Sequence, residues 1–486
     1  SDILPLGLDA QARTMAVKAA AGHPVAARAV EVLRRHRAAR LRRRDLTVLD
    51  EMARLSRYLA QPESLPVATL RSRAPEASRF GTLADRMSAY QRDGAFADLA
   101  ALRLRRAAGE SSAFAPQVAA VIGAWRARRD KENEAFALLL SEDYERAAHS
   151  PGLIPIQGMW RELVLPALAL PAREPRGKQG ADAGTTVGGV MGGAAGVFVV
   201  VLDGCSYPVF LDLLYRLTQD PELPCGLALP PAADGALGAE ACPRPCLALL
   251  PSVTSHSRGA LFLGSVPKDP WIDERLWPGE REAVTDQARF KQNLDLGRHG
   301  LPRRLFLKGD LARAGALEAA LRDEDLPVVA AVFNAVDDQI GSSNTGAVPR
   351  LRPGDISGFL SALGVAFDTG RAVFLTADHG HTPFLGTDLR VGAGPTPRFC
   401  DLADGEQPPE GFAVIDTAGL GGPAAASGRR LAFAWRVGAY RGQPQVGFHG
   451  GCGLEELVVP MTRLCRHGVP ASEPTWWFGG GDGEEG

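Results

Sequence analysis

The stretch VFVVVLDG, residues 197–204, decides the fold: six apolar, mostly β-branched residues run without a polar break and end on Asp203-Gly204. A strand with one wet face alternates polar and apolar residues, whereas an unbroken run fits a strand buried on both faces of a parallel sheet. Comparable runs recur at 246–250, 304–307, 328–334 and 372–376, with helical spacing near 206–218, 310–322 and 354–367 between them. Strand and helix in alternation specify a layered α/β core with a mostly parallel sheet. Shorter strands are expected at 412–416 and 430–436. In such sheets ligands gather beyond the carboxyl ends of the strands, so the polar residues that close these runs are the place to look for chemistry.

Upstream the texture differs. Apolar positions recur every three to four residues through 26–45, 46–60, 83–107 and 116–148, which makes residues 1–170 an all-α region. Residues 171–196, PAREPRGKQGADAGTTVGGVMGGAAG, hold too few large apolar groups to offset ordering entropy and are expected to be a flexible linker. The α/β domain then spans 197–470, and 471–486, ending GGGDGEEG, is expected to be a disordered tail.

With 486 residues, 45% hydrophobic and 23% charged, the chain can bury a large core, and its formal net charge of −2 gives no overall pull towards nucleic acid or membrane. No apolar run approaches 18 residues and no basic segment leads into an apolar one, so neither a membrane span nor a signal peptide is expected. Seven cysteines, an odd number without repeated spacing, suit a reducing cytoplasm. A first residue of Ser rather than Met points to a fragment. The densest basic stretch, VLRRHRAARLRRRD at 32–45, carries seven Arg and reads as a solvated or docking face, with phosphate contact as the alternative.

The strand ends carry the candidate chemistry. Asp203 can project from the sheet edge beside Gly204, a turn or cap aspartate being the alternative. Thr254, in LLPSVTSHSRGALFLG, precedes a helical stretch to about Leu263 and is a candidate nucleophile or an N-cap. Arg258, one turn on, is a candidate phosphate contact or an ion-paired arginine. Asp337-Asp338 closes the fourth run, and a doubled carboxylate there calls for a cation or a solvated loop. Asp378-His379 follows the fifth, with Gly380 permitting both side chains to turn into one cavity, and an Asp-His pair suits zinc or manganese. His381 is a candidate substrate or supporting group, and His449 sits in the glycine turn FHGGCG. A cysteine phosphatase needs Cys and Arg six positions apart, which Cys205, Cys242 and Cys246 lack. GGVMGGAAG precedes its strand and has no Lys-Ser/Thr, so it is no P-loop.

DGCSYPVF (203–210), PSVTSHSRGALFLG (251–264), VDDQIG (336–341), TADHGHTPFLG (376–386) and FHGGCGLEELVVP (448–460) together resemble the alkaline phosphatase superfamily. The last segment is particularly similar to the PglZ domain of BREX phage-defence systems. The resemblance spans about 197–465. It implies Asp203, Asp378 and His379 as ligands of one divalent metal, Asp337 and His449 as ligands of a second, and Thr254 as the nucleophile between them. It also implies zinc, with manganese or magnesium as alternatives, and a phosphate ester substrate hydrolysed through a phosphothreonine. Arg258 and His381 would bind substrate. Other defence proteins are the implied partners, with the helical region 1–170 as the interaction module for them; nucleic acid stays an open partner, and no membrane is expected. One departure stands out: where superfamily members commonly carry His four residues after the acid matched by Asp337, this chain has Gly341. That gap keeps a second reading open, a scaffold or sensor with a partly degenerate site.

Overall fold

The computed structural model describes residues 5–62, 81–109, 113–147, 153–168, 194–228, 241–266, 285–342, 347–417 and 430–478. Among the described residues, six α-helices build the first part: α1 (Pro5–Ala20), α2 (Ala27–Arg35), α3 (Arg43–Ala60), α4 (Leu83–Ala89), α5 (Ala95–Ala108) and α6 (Ala115–Ala147). Thr82 caps α4 through a reciprocal capping box with Asp85. A π turn at Tyr90–Gly94 joins α4 to α5. Of the dense arginines, Arg34 pairs with Asp50, Arg35 with Glu31 and Arg42 with Asp9, so these three are held by acids of their own region.

The second part is organised by a seven-stranded sheet of β1 (Val197–Leu202), β2 (Cys225–Leu227), β3 (Arg244–Leu247), β4 (Arg303–Phe306), β5 (Val328–Phe333), β6 (Ala372–Ala377) and a last long strand. Small outlying sheets lie between β6 and that strand: β7 (Thr382–Pro383), β8 (Leu389–Arg390), β9 (Phe399–Leu402), β10 (Phe412–Val414), β11 (Arg430–Ala434), β12 (Ala439–Tyr440) and β13 (Gly447–Phe448). The last strand, β14, is Val458–Arg466. The sheet runs β2-β14-β6-β1-β5-β4, with β3 also on β14. Strands β6, β1, β5 and β4 are parallel, and β14 is antiparallel to β6, β2 and β3. All residues of β1, β5 and β6 are buried, as the unbroken apolar runs require. The fold is therefore a layered α/β core with a mostly parallel sheet, preceded by an all-α region.

Register positions the chemistry. Leu202 of β1 lies opposite Phe333 of β5 and Ala377 of β6, so the next residues, Asp203, Asn334 and Asp378, leave the sheet at one level. Helix α7 (Tyr207–Thr218) follows β1 and meets α5: Asp212, 2% exposed, takes Arg103 Nη2 at 3.0 Å and Arg106 Nη1 at 2.6 Å. Burial alone would raise its pKa, but Arg103, Arg106 and Arg216 outweigh that and hold it low.

Two expectations meet different outcomes. Residues 171–193 of the expected linker lie outside the described residues. Residues 471–478 are built into the fold rather than forming part of a disordered tail, because the helix Thr475–Phe478 buries Trp476 and Trp477 against α3, and Arg57 donates to both of their carbonyls. Residues 479–486 lie outside the described residues.

Candidate metal centre

Beyond the sheet edge the described side chains converge as follows. Asp203 is 1% exposed and Asp378 and His379 are fully buried, and they form the one group of three metal-ligating residues found among the described residues. His379 Nε2 stands 3.7 Å from Asp203 Oδ1 and 3.9 Å from Asp378 Oδ2. The Thr254 hydroxyl lies 3.2 Å from Asp203 Oδ1 and 3.0 Å from His379 Nε2. His379 Nδ1 faces the Gly380 carbonyl at 3.0 Å, which accepts, so the neutral ring carries its proton there and presents a lone pair at Nε2.

This arrangement has too many acceptors. Asp203 Oδ1 and His379 Nε2 compete for the one Thr254 hydroxyl hydrogen, and Asp378 Oδ2 is buried without a hydrogen-bond partner, with Arg258 Nη1 3.9 Å away. Donor atoms on a tetrahedral zinc with bonds of about 2.0 Å stand roughly 3.3 Å apart. The separations of 3.7 and 3.9 Å from His379 Nε2 are a few tenths of an ångström wider than that spacing, and two carboxylates with one imidazole are a donor set that suits a divalent ion. Protonation tells the same story. Burial, and then the nearby Asp203, pushes Asp378 well above the carboxylate range; Asp203 itself is held low, because Arg258 and His379 outweigh its burial. His379 is pushed down, chiefly by burial.

Local chain geometry explains why these groups meet. Gly204 follows Asp203 with φ +67, a left-handed turn that glycine adopts freely, and its N–H donates to Asp378 Oδ1 at 3.1 Å. A side chain at Gly380 would place Cβ 2.0 Å from the Glu455 carbonyl oxygen, so only glycine lets the Asp378-His379 loop pass that close. Ser257 Oγ donates to the Asp378 carbonyl at 2.6 Å, tying the Thr254 segment to the same loop. Thr254 opens a π turn (Thr254–Arg258) that continues into a short helix at Gly259–Leu263, close to the expected helical stretch.

The remaining candidates divide. Arg258 does lie in the site, as an ion-paired arginine: Nη1 donates to Asp203 Oδ2 at 2.7 Å and Nε to Asp286 Oδ2 at 2.9 Å. Asp337 Oδ1 and His449 Nε2 stand 3.8 Å apart, both half-buried, and the His449 ring lies 4.6 Å from that of His379. Burial, then His379, pushes His449 down to about 4, while burial and Asp203 push Asp337 up. This pair borders the first group and offers two protein donors among the described residues. Gly341 supplies none, and Asp338 is turned away onto Lys308 Nζ at 2.8 Å, 55% exposed, so it does not make up the shortfall. His381, read as a substrate or supporting group, is buried: its Nδ1 donates to the Gly204 carbonyl at 2.8 Å, and the ring lines a small cavity with Asp98, Arg105 and Glu455, between the helical part and the sheet domain.

The sequence reading passed over two residues that belong here. Asn334 donates from Nδ2 to Asp203 Oδ2, and Asp286 anchors Arg258. Asn334 was findable, because it ends the β5 run at the register position of Asp203 and Asp378, three residues before the more conspicuous Asp337. Asp286 had no local signal.

No family model and no curated protein matches this chain. Among solved structures it is similar to phosphonoacetate hydrolase from Sinorhizobium meliloti 1021, in complex with phosphonoacetate at 14% identity and a TM-score of 0.34. The same enzyme in complex with phosphonoformate gives 15% identity and a TM-score of 0.30. Each comparison covers 58% of this chain and 94% of the other. No helix among the described residues is long and apolar enough to cross a membrane.

Proposed function

We propose that this protein is a metal-dependent phosphohydrolase of the alkaline phosphatase superfamily, with Thr254 as nucleophile. The observation that carries the reading is the convergence of Asp203 Oδ1 and His379 Nε2 on one hydroxyl, Thr254 Oγ1, at 3.2 and 3.0 Å, with the buried Asp378 Oδ2 in the same group and without a hydrogen-bond partner. A divalent ion held by Asp203, Asp378 and His379, zinc by the donor set, would neutralise those carboxylates and polarise the hydroxyl and the substrate phosphoryl group. Asp337 and His449 are the proposed ligands of a second ion. The chain's own contributions follow from position. On this reading His379 Nε2 and Asp203 Oδ1 are committed to the ion, so the Thr254 proton passes to water as the oxygen attacks phosphorus; the ester oxygen leaves and takes a proton from water, and a second water later releases phosphate from the threonine. Arg258, fixed by Asp203 and Asp286, presents a guanidinium beside the site to the phosphoryl oxygens. A place in phage defence, with partners among defence proteins, rests on the PglZ resemblance of the motifs alone. A cytoplasmic setting is in keeping with seven cysteines that form no disulfide among the described residues.

A second reading, a scaffold or sensor that binds a single ion without turnover, is favoured by the two-donor Asp337–His449 pair. Elemental analysis with hydrolysis of bis-p-nitrophenyl phosphate and p-nitrophenyl phosphate separates the two. Phosphohydrolysis predicts bound metal, turnover, and a loss of at least roughly 10³-fold in Thr254→Ala and Asp378→Asn. One bound ion with no turnover of either ester under zinc, manganese or magnesium supports the scaffold; no bound metal defeats both.

A further inference from the structure

Asn133 lies in the middle of α6 with no exposed surface, and its whole amide is engaged by the other half of the molecule. Nδ2 donates to Glu455 Oε2 at 2.9 Å and to the Trp435 carbonyl at 3.0 Å, while Oδ1 accepts from Leu454 N at 3.0 Å. The same stripe of α6 adds Asp130, which accepts from Val437 N at 2.8 Å, and Arg126, which donates to the Val437 carbonyl at 2.8 Å. Positions 126, 130 and 133 are spaced four and three apart, so they share one helix face.

The turn that Asn133 grips, Leu454–Leu457, is also the common support of the two histidine loops. The Glu456 carbonyl accepts from Gly380 N at 2.9 Å, directly after His379. Its carboxylate accepts from Gly451 N at 2.6 Å, two residues after His449, and from Arg398 Nε at 2.9 Å. Both Arg398 and Glu456 are fully buried. Glu455 Oε1 is buried without a partner, so among the described residues Asn133 supplies the side-chain donor to that carboxylate.

We infer that Asn133 is a positioning residue for the candidate metal centre, acting through the Leu454–Leu457 turn to set the loops of His379 and His449, and that the helical region is thereby part of the site. The inference rests on reading Asp203, Asp378 and His379 as metal ligands. Its test uses the full chain with Asn133→Asp, which keeps the size and the acceptor but loses both donors, and the milder Asn133→Ser. Arg103→Gln serves as control, since Arg103 crosses the same interface to Asp212 away from the turn. Cobalt(II) titration should show affinity roughly tenfold weaker in the Asn133 variants, the low end for residues that support ligands, with an altered visible spectrum. Hydrogen exchange at the Gly380 and Gly451 amides should quicken in the same variants, and Arg103→Gln should match the unmodified protein in both. Unchanged cobalt binding and exchange in both Asn133 variants overturns the inference, as does an equal shift in Arg103→Gln. Should the unmodified protein take up no cobalt, the metal reading fails, and exchange at Gly380 and Gly451 still decides whether Asn133 holds the two loops.

Discussion

His256, two residues from Thr254, is 1% exposed and its Nε2 has no hydrogen-bond partner. Burial, helped by the positive charge of Arg289, pushes its pKa from 6.5 down to about 4. Above pH 6.5 the ring is neutral folded and unfolded, and its contribution to stability is complete. As pH falls from 6.5 towards 4 the unfolded chain takes up a proton that the folded one refuses, so stability drops, by about 3 kcal/mol at the lower end. His256→Leu should flatten this part of the acid limb in urea unfolding measured at pH 7, 6, 5 and 4; a difference between the two proteins that does not change with pH would show that His256 protonates freely when folded. Asp203, Asp378 and His379 were legible in the sequence because each closes or follows an unbroken apolar run. Asp286 was not, because its relation to Arg258 exists only once the chain has folded back over 28 residues.

At the scale of elements, β1, β5 and β6 were legible for a physical reason: a strand buried on both faces must be apolar at every position, and few other structures of that length demand it. β14 was not. Its sequence VVPMTRLCR carries Pro460 and mixes polar with apolar residues, and its place beside β6 is set by pairing Met461 with Thr376 and Leu464 with Val373. The C-terminal helix escaped notice because four residues, TWWF, are too short to show a period. Its stability comes from packing: Trp477 is 2% exposed, Phe96 meets its ring edge-on at 5.7 Å, and the Arg54 guanidinium lies 4.5 Å from its centroid. Trp477→Ala should therefore cost about 3–5 kcal/mol in denaturant unfolding, whereas a cost below about 1 kcal/mol would mean that the helix does not hold to α3 in solution.

For the whole molecule, the question is whether the helical part and the sheet domain are separable. The sequence suggests that they are, since 171–196 has the composition of a linker. The contacts argue otherwise. Asp212 is clamped by Arg103 and Arg106, the amide of Asn133 is engaged by Trp435, Leu454 and Glu455, and the last helix returns to α3, so three separate places tie the two parts together. Several of these groups are buried charges, and parting the two halves would expose the apolar faces around them while breaking each pair. A protease that nicks the chain within 171–193 should therefore leave two fragments that elute together in gel filtration, with the metal content and turnover of the uncut protein, and part only in denaturant. Elution as two folded pieces in native buffer would show that the interface is weak, and would remove the route by which Asn133 acts on the histidine loops.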